Sequence, residues 1–258
     1  MLKRIGTLIL LMAILVAIPS TSQSAPHPRK YGVELQVGGK YALLSEVNDF
    51  LISELASQPN HSVDNVNIGI QYGLGIVYRQ EDHFGWTIGH NRFREINKYR
   101  AAAVVFGGEE SWSEQTVLGS ETYALANWYM DKWGGELSFG IGPALYSGSL
   151  DRVNDILVAA GQHSISGFVG ASGKSFGMLG TIGFEIALRN QVGLLFQAGG
   201  RLAKINELLW VDPDDPFQEE QIVYYNQTIG DKMDVDFTGG FFKVGLRMYF
   251  TPPQDWRH

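Results

Sequence analysis

The stretch that decides the fold is FKVGLRMYF, residues 242–250, in which a large apolar residue occupies every second position. The positions between them hold Lys243, Gly245, Arg247 and Tyr249. A period of two places the two sets on opposite faces of a β-strand, because a helix would repeat every 3.6 residues. A tilted strand of about nine residues is long enough to cross a bilayer.

The same alternation recurs upstream of this stretch. Seven further candidate strands begin near Tyr31, Val66, Phe84, Val117, Leu137, Phe176 and Val192. In the strand at about 117–129, Tyr123 and Leu125 compete with Ala124 and Ala126 for the apolar face, so its orientation stays open. The sequence therefore predicts eight strands over about residues 31–250.

Short and long connections alternate between these strands. The short ones lie at 80–83, 131–134 and 189–190, and the long ones at about 45–62, 92–116, 148–174 and 205–234. In an up-and-down meander all short turns then lie at one end, which is typical of outer-membrane barrels. The predicted fold is all-β: an eight-stranded antiparallel transmembrane β-barrel with four long outer loops and three short periplasmic turns.

A soluble barrel with its apolar face inward is the alternative. The second face favours the membrane interpretation, because it is rich in glycine, and 31 of the 258 residues are glycine. Small residues leave room for large ones inside a narrow barrel. Eight ionisable residues of both signs share that face, and we expect them to form a paired charge network in the lumen: Glu34, Lys40, Arg79, Glu136, Glu185, Arg201, Lys243 and Arg247.

Aromatic residues gather where the predicted strands end, as at membrane interfaces. Those near the short turns are Tyr31, Tyr78, Phe84, Trp86, Tyr129, Trp133, Tyr249 and Phe250, and those near the long loops are Tyr41, Tyr146 and Phe176.

Composition excludes several other classes of protein. The chain has no cysteine, which excludes disulfides, thiolate zinc sites and cysteine nucleophiles. Its 20 basic and 27 acidic residues argue against nucleic-acid binding. The mean hydropathy of −0.06 is that of a soluble protein, but alternating strands average their apolar and polar faces.

The first segment has the pattern of a secretory signal. Lys3 and Arg4 precede an apolar run over residues 8–18, and small residues follow Pro19. We expect cleavage after Ser24, which gives a signal peptide at 1–24 and a barrel domain at 25–258. An uncleaved anchor is the alternative. The expected route is Sec export to a bacterial outer membrane.

The last strand resembles the terminal strand of bacterial outer-membrane proteins. The resemblance implies recognition by the barrel-assembly machinery through Phe242, Val244, Leu246, Met248 and Phe250. Over residues 31–250 the chain resembles the small eight-stranded barrels of the OmpA membrane-domain, OmpX and OmpW type. It departs from them where residues 251–258 follow the terminal phenylalanine. We also expect no peptidoglycan-binding domain of the kind that tethers OmpA-type proteins.

This resemblance implies a mainly structural, surface-interaction role, with the lumen largely plugged by its own charges. A narrow channel for small or apolar molecules, of OmpW type, is the alternative, and Leu179 and Leu195 on the inward face favour it. A lipid A-modifying enzyme is the weakest candidate, because His90 is followed two residues later by Arg92 and not by serine. We therefore expect a monomer with no catalytic residues, cofactor or nucleic-acid partner.

Two charged loops raise questions of binding. Arg92, Arg94, Lys98 and Arg100 lie at the expected level of lipopolysaccharide phosphates, which guanidinium groups suit. Alternatively they form a solvated hairpin balanced by Glu95, Glu109, Glu110 and Glu114. The last loop contains Asp212-Pro213-Asp214-Asp215 but lacks the spacing of a calcium loop, so we expect no metal.

Overall fold

Eight long antiparallel strands close into a barrel in the computed structural model. The structure describes residues 30–44, 60–62, 67–95, 99–105, 109–158, 162–189, 191–211, 221–222, 224–226, 231–232 and 234–250. The predicted signal peptide, the basic residue Lys98, the aspartates at 212–215 and the tail at 251–258 lie outside these residues. In the described part of the chain no helix is long and apolar enough to cross a membrane.

Sixteen strands are present in the described residues. The barrel consists of β1 (Tyr31–Ala42), β3 (Ile68–Glu81), β4 (Phe84–Glu95), β6 (Glu109–Lys132), β7 (Gly135–Val158), β8 (Gln162–Arg189), β9 (Val192–Leu202) and β16 (Gly239–Phe250). The others are β2 (Asn60–Ser62), β5 (Tyr99–Val105), β10 (Lys204–Ile205), β11 (Leu209–Val211), β12 (Gln221–Ile222), β13 (Tyr224–Asn226), β14 (Asp231–Lys232) and β15 (Val235–Asp236).

Each barrel strand pairs with its neighbours in chain order, and β16 pairs with β1 to close the ring. A row of paired residues that leaves β1 at Tyr31 passes once round the barrel and returns at Tyr41, ten residues further along the strand. This stagger tilts the strands by about 40° to the barrel axis. Each row therefore climbs toward the long-loop end in the order β1, β3, β4.

The alternation predicted from sequence appears as an inside and an outside. On β1, Leu35 and Val37 are 53% and 62% exposed, whereas Glu34 and Lys40 are 1% and 4% exposed. An apolar outer surface around a charged interior is the reverse of a soluble barrel. The membrane interpretation of the two faces is thus the one that the structure supports.

The orientation of β6, which the sequence left open, depends on glycines in the neighbouring strand. Tyr123 and Leu125 face inward and are buried, and Ala124 and Ala126 face outward. Tyr123 pairs with Gly89 of β4, where an added Cβ would lie 2.4 Å from the tyrosine ring. The glycine makes room for the tyrosine, so small residues of one strand decide the face of the next.

Three predicted interface aromatics lie elsewhere. Tyr129, Tyr146 and Tyr249 are buried inside the barrel, so their assignment to the membrane interfaces is wrong. Each of them occupies one of the alternate positions of its strand that face the interior, and the alternation continues to the strand ends. At the short-turn end the outward rings do meet, with Tyr31 5.3 Å from Tyr78 and Phe84 5.3 Å from Trp86 between centroids.

Two of the predicted loops are in part strand. The pairs β6–β7 and β7–β8 continue well past the predicted strand ends, and residues 153–158, predicted to lie in a long loop, belong to β7. Above the lipid, outward positions no longer need apolar side chains, and β7 carries Ser147 and Ser149 there. The apolar alternation therefore stops before the strand does.

Candidate functional site in the barrel interior and on the outer wall

The interior charges near the short turns form one connected group, which we call the turn-side cluster (Glu34, Arg79, Glu136, Glu185, Arg247 and Tyr249). Arg247 donates from Nη2 to Glu34 Oε2 and from Nη1 to Glu185 Oε2, each at 2.8 Å. The Tyr249 hydroxyl donates to the same Glu185 oxygen at 2.7 Å. One guanidinium on β16 thus holds two carboxylates from non-adjacent strands, β1 and β8.

Arg79 completes the turn-side cluster. Its guanidinium pairs with Glu136, with Nη1 2.7 Å from Oε2, and donates to the Tyr249 hydroxyl at 3.0 Å. The guanidinium carbon also lies 4.2 Å from the centre of the Tyr129 ring. Charge, hydrogen bond and ring contact therefore fix Arg79 across the barrel.

A second group lies nearer the long loops, and we call it the loop-side cluster (Lys40, Gln71, Asn91, Glu95, Glu121 and Arg201). Lys40 forms an ion pair with Glu95. Arg201 donates to Gln71 Oε1 at 2.6 Å and lies 3.4 Å from Glu121, which also accepts from Asn91 at 2.5 Å. These side chains link β1, β3, β4, β6 and β9 through the barrel interior.

The two clusters and Lys243 hold equal numbers of opposite charges. In the described strands five carboxylates (Glu34, Glu95, Glu121, Glu136 and Glu185) face five cations (Lys40, Arg79, Arg201, Lys243 and Arg247). Lys243 is 1% exposed, and its Nζ lies 4.9 Å from the Phe241 ring centre and 5.7 Å from that of Tyr123. With each of these groups in its ordinary charged form, the interior charges of the described strands cancel.

An apolar group covers the interior at the long-loop end, and we call it the mouth cluster (Leu44, Ile205, Leu208, Val235 and Phe237). Each member is at most 1% exposed. Phe237 packs edge-on against Phe93 at 5.0 Å, and its backbone nitrogen donates to the Ala203 carbonyl. Glycines of the wall allow this approach, since a Cβ at Gly148 would lie 2.7 Å from the Phe237 ring.

The structure places all eight residues of the predicted lumen network on the inward face, and it separates them into the two clusters and Lys243. Sequence reasoning missed Glu95 and Glu121. Glu95 was expected to balance the outer arginines, but it is 2% exposed and paired with Lys40, because β4 extends to this residue. Glu121 is two residues from Tyr123 and lies on the same face of β6, so an inward assignment of Tyr123 would also have placed Glu121 in the interior.

The predicted lipopolysaccharide-binding residues do not all fall together. Arg92 and Arg94 point outward from β4, and Lys98 lies outside the described residues. Arg100 is on β5, away from the barrel ring. His90 also points outward, and its Nδ1 lies 2.9 Å from the Thr122 hydroxyl. In the described part of the chain no three acidic or histidine side chains gather as they would around a metal ion.

The residues of the predicted assembly signal all share the outward face of β16. They are Phe242, Val244, Leu246, Met248 and Phe250. Leu179 and Leu195, by contrast, are buried inside.

An apolar exterior, a paired charged interior and a closed ring of eight strands define an integral membrane β-barrel of the outer-membrane type. The chain is similar to several solved structures. Neisserial surface protein A has 12% identity and a TM-score of 0.38, covering 86% of this chain and 98% of its own. OprG from Pseudomonas aeruginosa has 12% identity and a TM-score of 0.43, with coverages of 87% and 97%.

Ail, the attachment invasion locus protein of Yersinia pestis, has 8% identity and a TM-score of 0.40, with coverages of 86% and 98%. No family model and no curated protein matches the sequence.

Proposed function

We propose that this chain is an integral protein of a bacterial outer membrane, with a structural and surface-interaction role and an interior closed to ion flow. The observation that carries the proposal is the set of ion pairs that crosses the barrel at two levels, in which five carboxylates face four cations. The buried Lys243 adds the fifth positive charge. A conducting path needs polar groups that face water, whereas these face one another. The mouth cluster adds an apolar barrier at the outer end.

The test is conductance of the refolded protein in planar lipid bilayers. We expect no steady current from the native chain. The double variant Glu121→Gln, Arg201→Gln removes one negative and one positive charge from the loop-side cluster, so the net charge of the interior does not change. It should give at most brief openings, because the turn-side cluster stays in place. A large, stable pore in the native protein would contradict the proposal.

A narrow path for small apolar molecules is the second candidate. It is favoured by Leu179 and Leu195, which are buried on the inward faces of β8 and β9. Beside Leu179 the outer wall carries no side chains where Gly180 of β8 pairs with Gly200 of β9. Uptake of an apolar dye into vesicles distinguishes this candidate, because Leu195→Asp should abolish uptake through such a path without creating an ionic current.

The proposed partners are the lipid of the outer membrane and, during biogenesis, the barrel-assembly machinery. The outward apolar row on β16 supports the second partner, since the machinery would meet this strand before the barrel closes. We do not propose an enzyme: His90 is engaged with Thr122, and position 92 of the same outward face is arginine.

A further inference from the structure

A groove of about 700 Å³ crosses the outer wall of the barrel. Outward side chains of five adjacent strands, β9, β16, β1, β3 and β4, line it. They form two paired rows, the first with Arg92, Tyr72, Val37 and Val244, and the second with His90, Leu74, Leu35, Leu246 and Leu194. The groove is therefore apolar along most of its length and cationic at its β4 end.

The tilt of the rows fixes which end is outer. Each row climbs toward the long loops in passing from β9 through β1 to β4, so Arg92 marks the outer end and Leu194 the deep end. Arg92 is eight residues beyond Phe84, where β4 leaves its short turn, or roughly 20 Å along the barrel axis. The apolar belt of such barrels is about 25 Å tall. Arg92 thus lies in the outer part of the lipid layer.

Among the described residues, the cations at this end have no protein counter-charge. Arg92 and Arg94 are exposed, lie on the same face about 6.6 Å apart along β4, and form no ion pair within the described residues. By contrast, four cations that face the barrel interior each contact a carboxylate: Lys40, Arg79, Arg201 and Arg247. A cation that faces lipid is destabilising unless an anion accompanies it.

We propose that this groove binds one acyl chain of a phosphorylated glycolipid of the outer leaflet, of the lipid A class. The lipid phosphate lies against Arg92 and Arg94, and the chain descends along the apolar rows toward Leu194. Guanidinium groups bind phosphate through paired charge-assisted hydrogen bonds. Charge complementarity at the outer end selects this occupant over a neutral lipid. The proposal rests on the proposed outer-membrane location and is independent of whether the interior conducts.

The experiment measures lipid retention by native mass spectrometry of the full-length mature protein in detergent micelles. The probes are bisphosphorylated lipid A, the same lipid without phosphates, and phosphatidylglycerol. We expect one bound lipid A per chain and much weaker binding of the other two. Arg92→Gln and Arg94→Gln should each weaken binding at least about tenfold, because a charge-assisted hydrogen bond contributes more than the 1.4 kcal/mol that equals a factor of ten.

Two matched controls separate the groove from general effects. Lys174→Gln removes another outward cation at the outer end, on β8 and away from the groove, and should leave binding unchanged. Val37→Trp fills the groove without changing charge and should abolish binding, whereas Ile88→Trp, outside the groove and equally exposed, should not. Val244→Trp serves as a second filling variant if Val37→Trp does not fold, as judged by heat-modifiable gel mobility.

Three outcomes would overturn the proposal: phosphatidylglycerol retained as well as lipid A, equal loss of binding in Lys174→Gln, or full binding in the filled-groove variants. Conductance measured on the same preparations tests the closed interior separately. A conducting barrel that still shows this binding pattern would contradict the proposed function and leave the lipid site standing.

Discussion

Arg247 offers the sharpest test of what the interior charges do. Arg247→Met removes a cation that contacts both Glu34 and Glu185. Both carboxylates then stay buried, and the interior acquires a net charge of one. Removing one partner of a buried ion pair costs about 3–5 kcal/mol. With a urea slope of about 2 kcal/mol per molar, the unfolding midpoint should fall by roughly 1.5–2.5 M.

The matched control is Lys243→Met, four residues away on the same inward face of β16. It changes the interior charge by the same amount, but among the described residues Lys243 contacts aromatic rings and no carboxylate. We expect a loss of at most about 2 kcal/mol, the size of a desolvated cation–π contact. The assay is urea unfolding in lipid vesicles, followed by tryptophan fluorescence and by gel mobility.

Two results would refute the reasoning about Arg247. Equal destabilisation by the two variants would mean that net charge, and not pairing, governs the interior. The double variant Arg247→Met, Glu185→Gln restores neutrality and should recover part of the loss. If it is less stable than Arg247→Met alone, the neutral-interior argument is wrong.

The remaining predictions concern the mouth, the wall and assembly. Gly173→Leu should speed amide hydrogen exchange in the mouth segment, because a Cβ there would lie 2.5 Å from the Glu207 carbonyl oxygen; unchanged exchange would contradict the packing. Ile88→Lys should destabilise the barrel in vesicles by about 2–4 kcal/mol, as a mid-wall cation does, whereas Ser149→Lys beyond the lipid should not. Phe250→Ser should lower the amount of folded barrel in cells but leave refolding into vesicles intact, and normal cellular yield would argue against the assembly signal.

The fold was predictable because lipid on one side of a strand imposes a strict period on the sequence. Leu35 and Val37 face lipid and Glu34 faces inward, and no tertiary information is needed to separate them. The same rule failed for the outer parts of β7 and β8, where outward positions such as Ser147 and Ser149 are no longer apolar although the strands continue. The end of the apolar alternation in the sequence therefore marks the edge of the lipid layer and not the end of the strand.

Much of the candidate site depended on contacts that have no period. Phe237 and Ile205 are isolated apolar residues in an acidic loop, and only the folded chain brings them together over the interior. The outer groove was equally hidden, because its two rows combine residues from five strands in an order set by the stagger of the barrel. The charges were visible in the sequence, but their partners were not.

The first and last barrel strands meet along twelve paired positions, from Tyr31 with Phe250 to Ala42 with Gly239. The bond from Arg247 to Glu34 crosses this seam and joins residues 213 apart in sequence. Contacts at such separation form late, because the chain must first close a very long loop. Until then both charges lack this partner, and an open sheet edge in lipid has unsatisfied backbone groups as well. An incomplete sheet is therefore disfavoured in the bilayer until β1 and β16 pair, and the ion pair between Arg247 and Glu34 adds to the stability gained at that step.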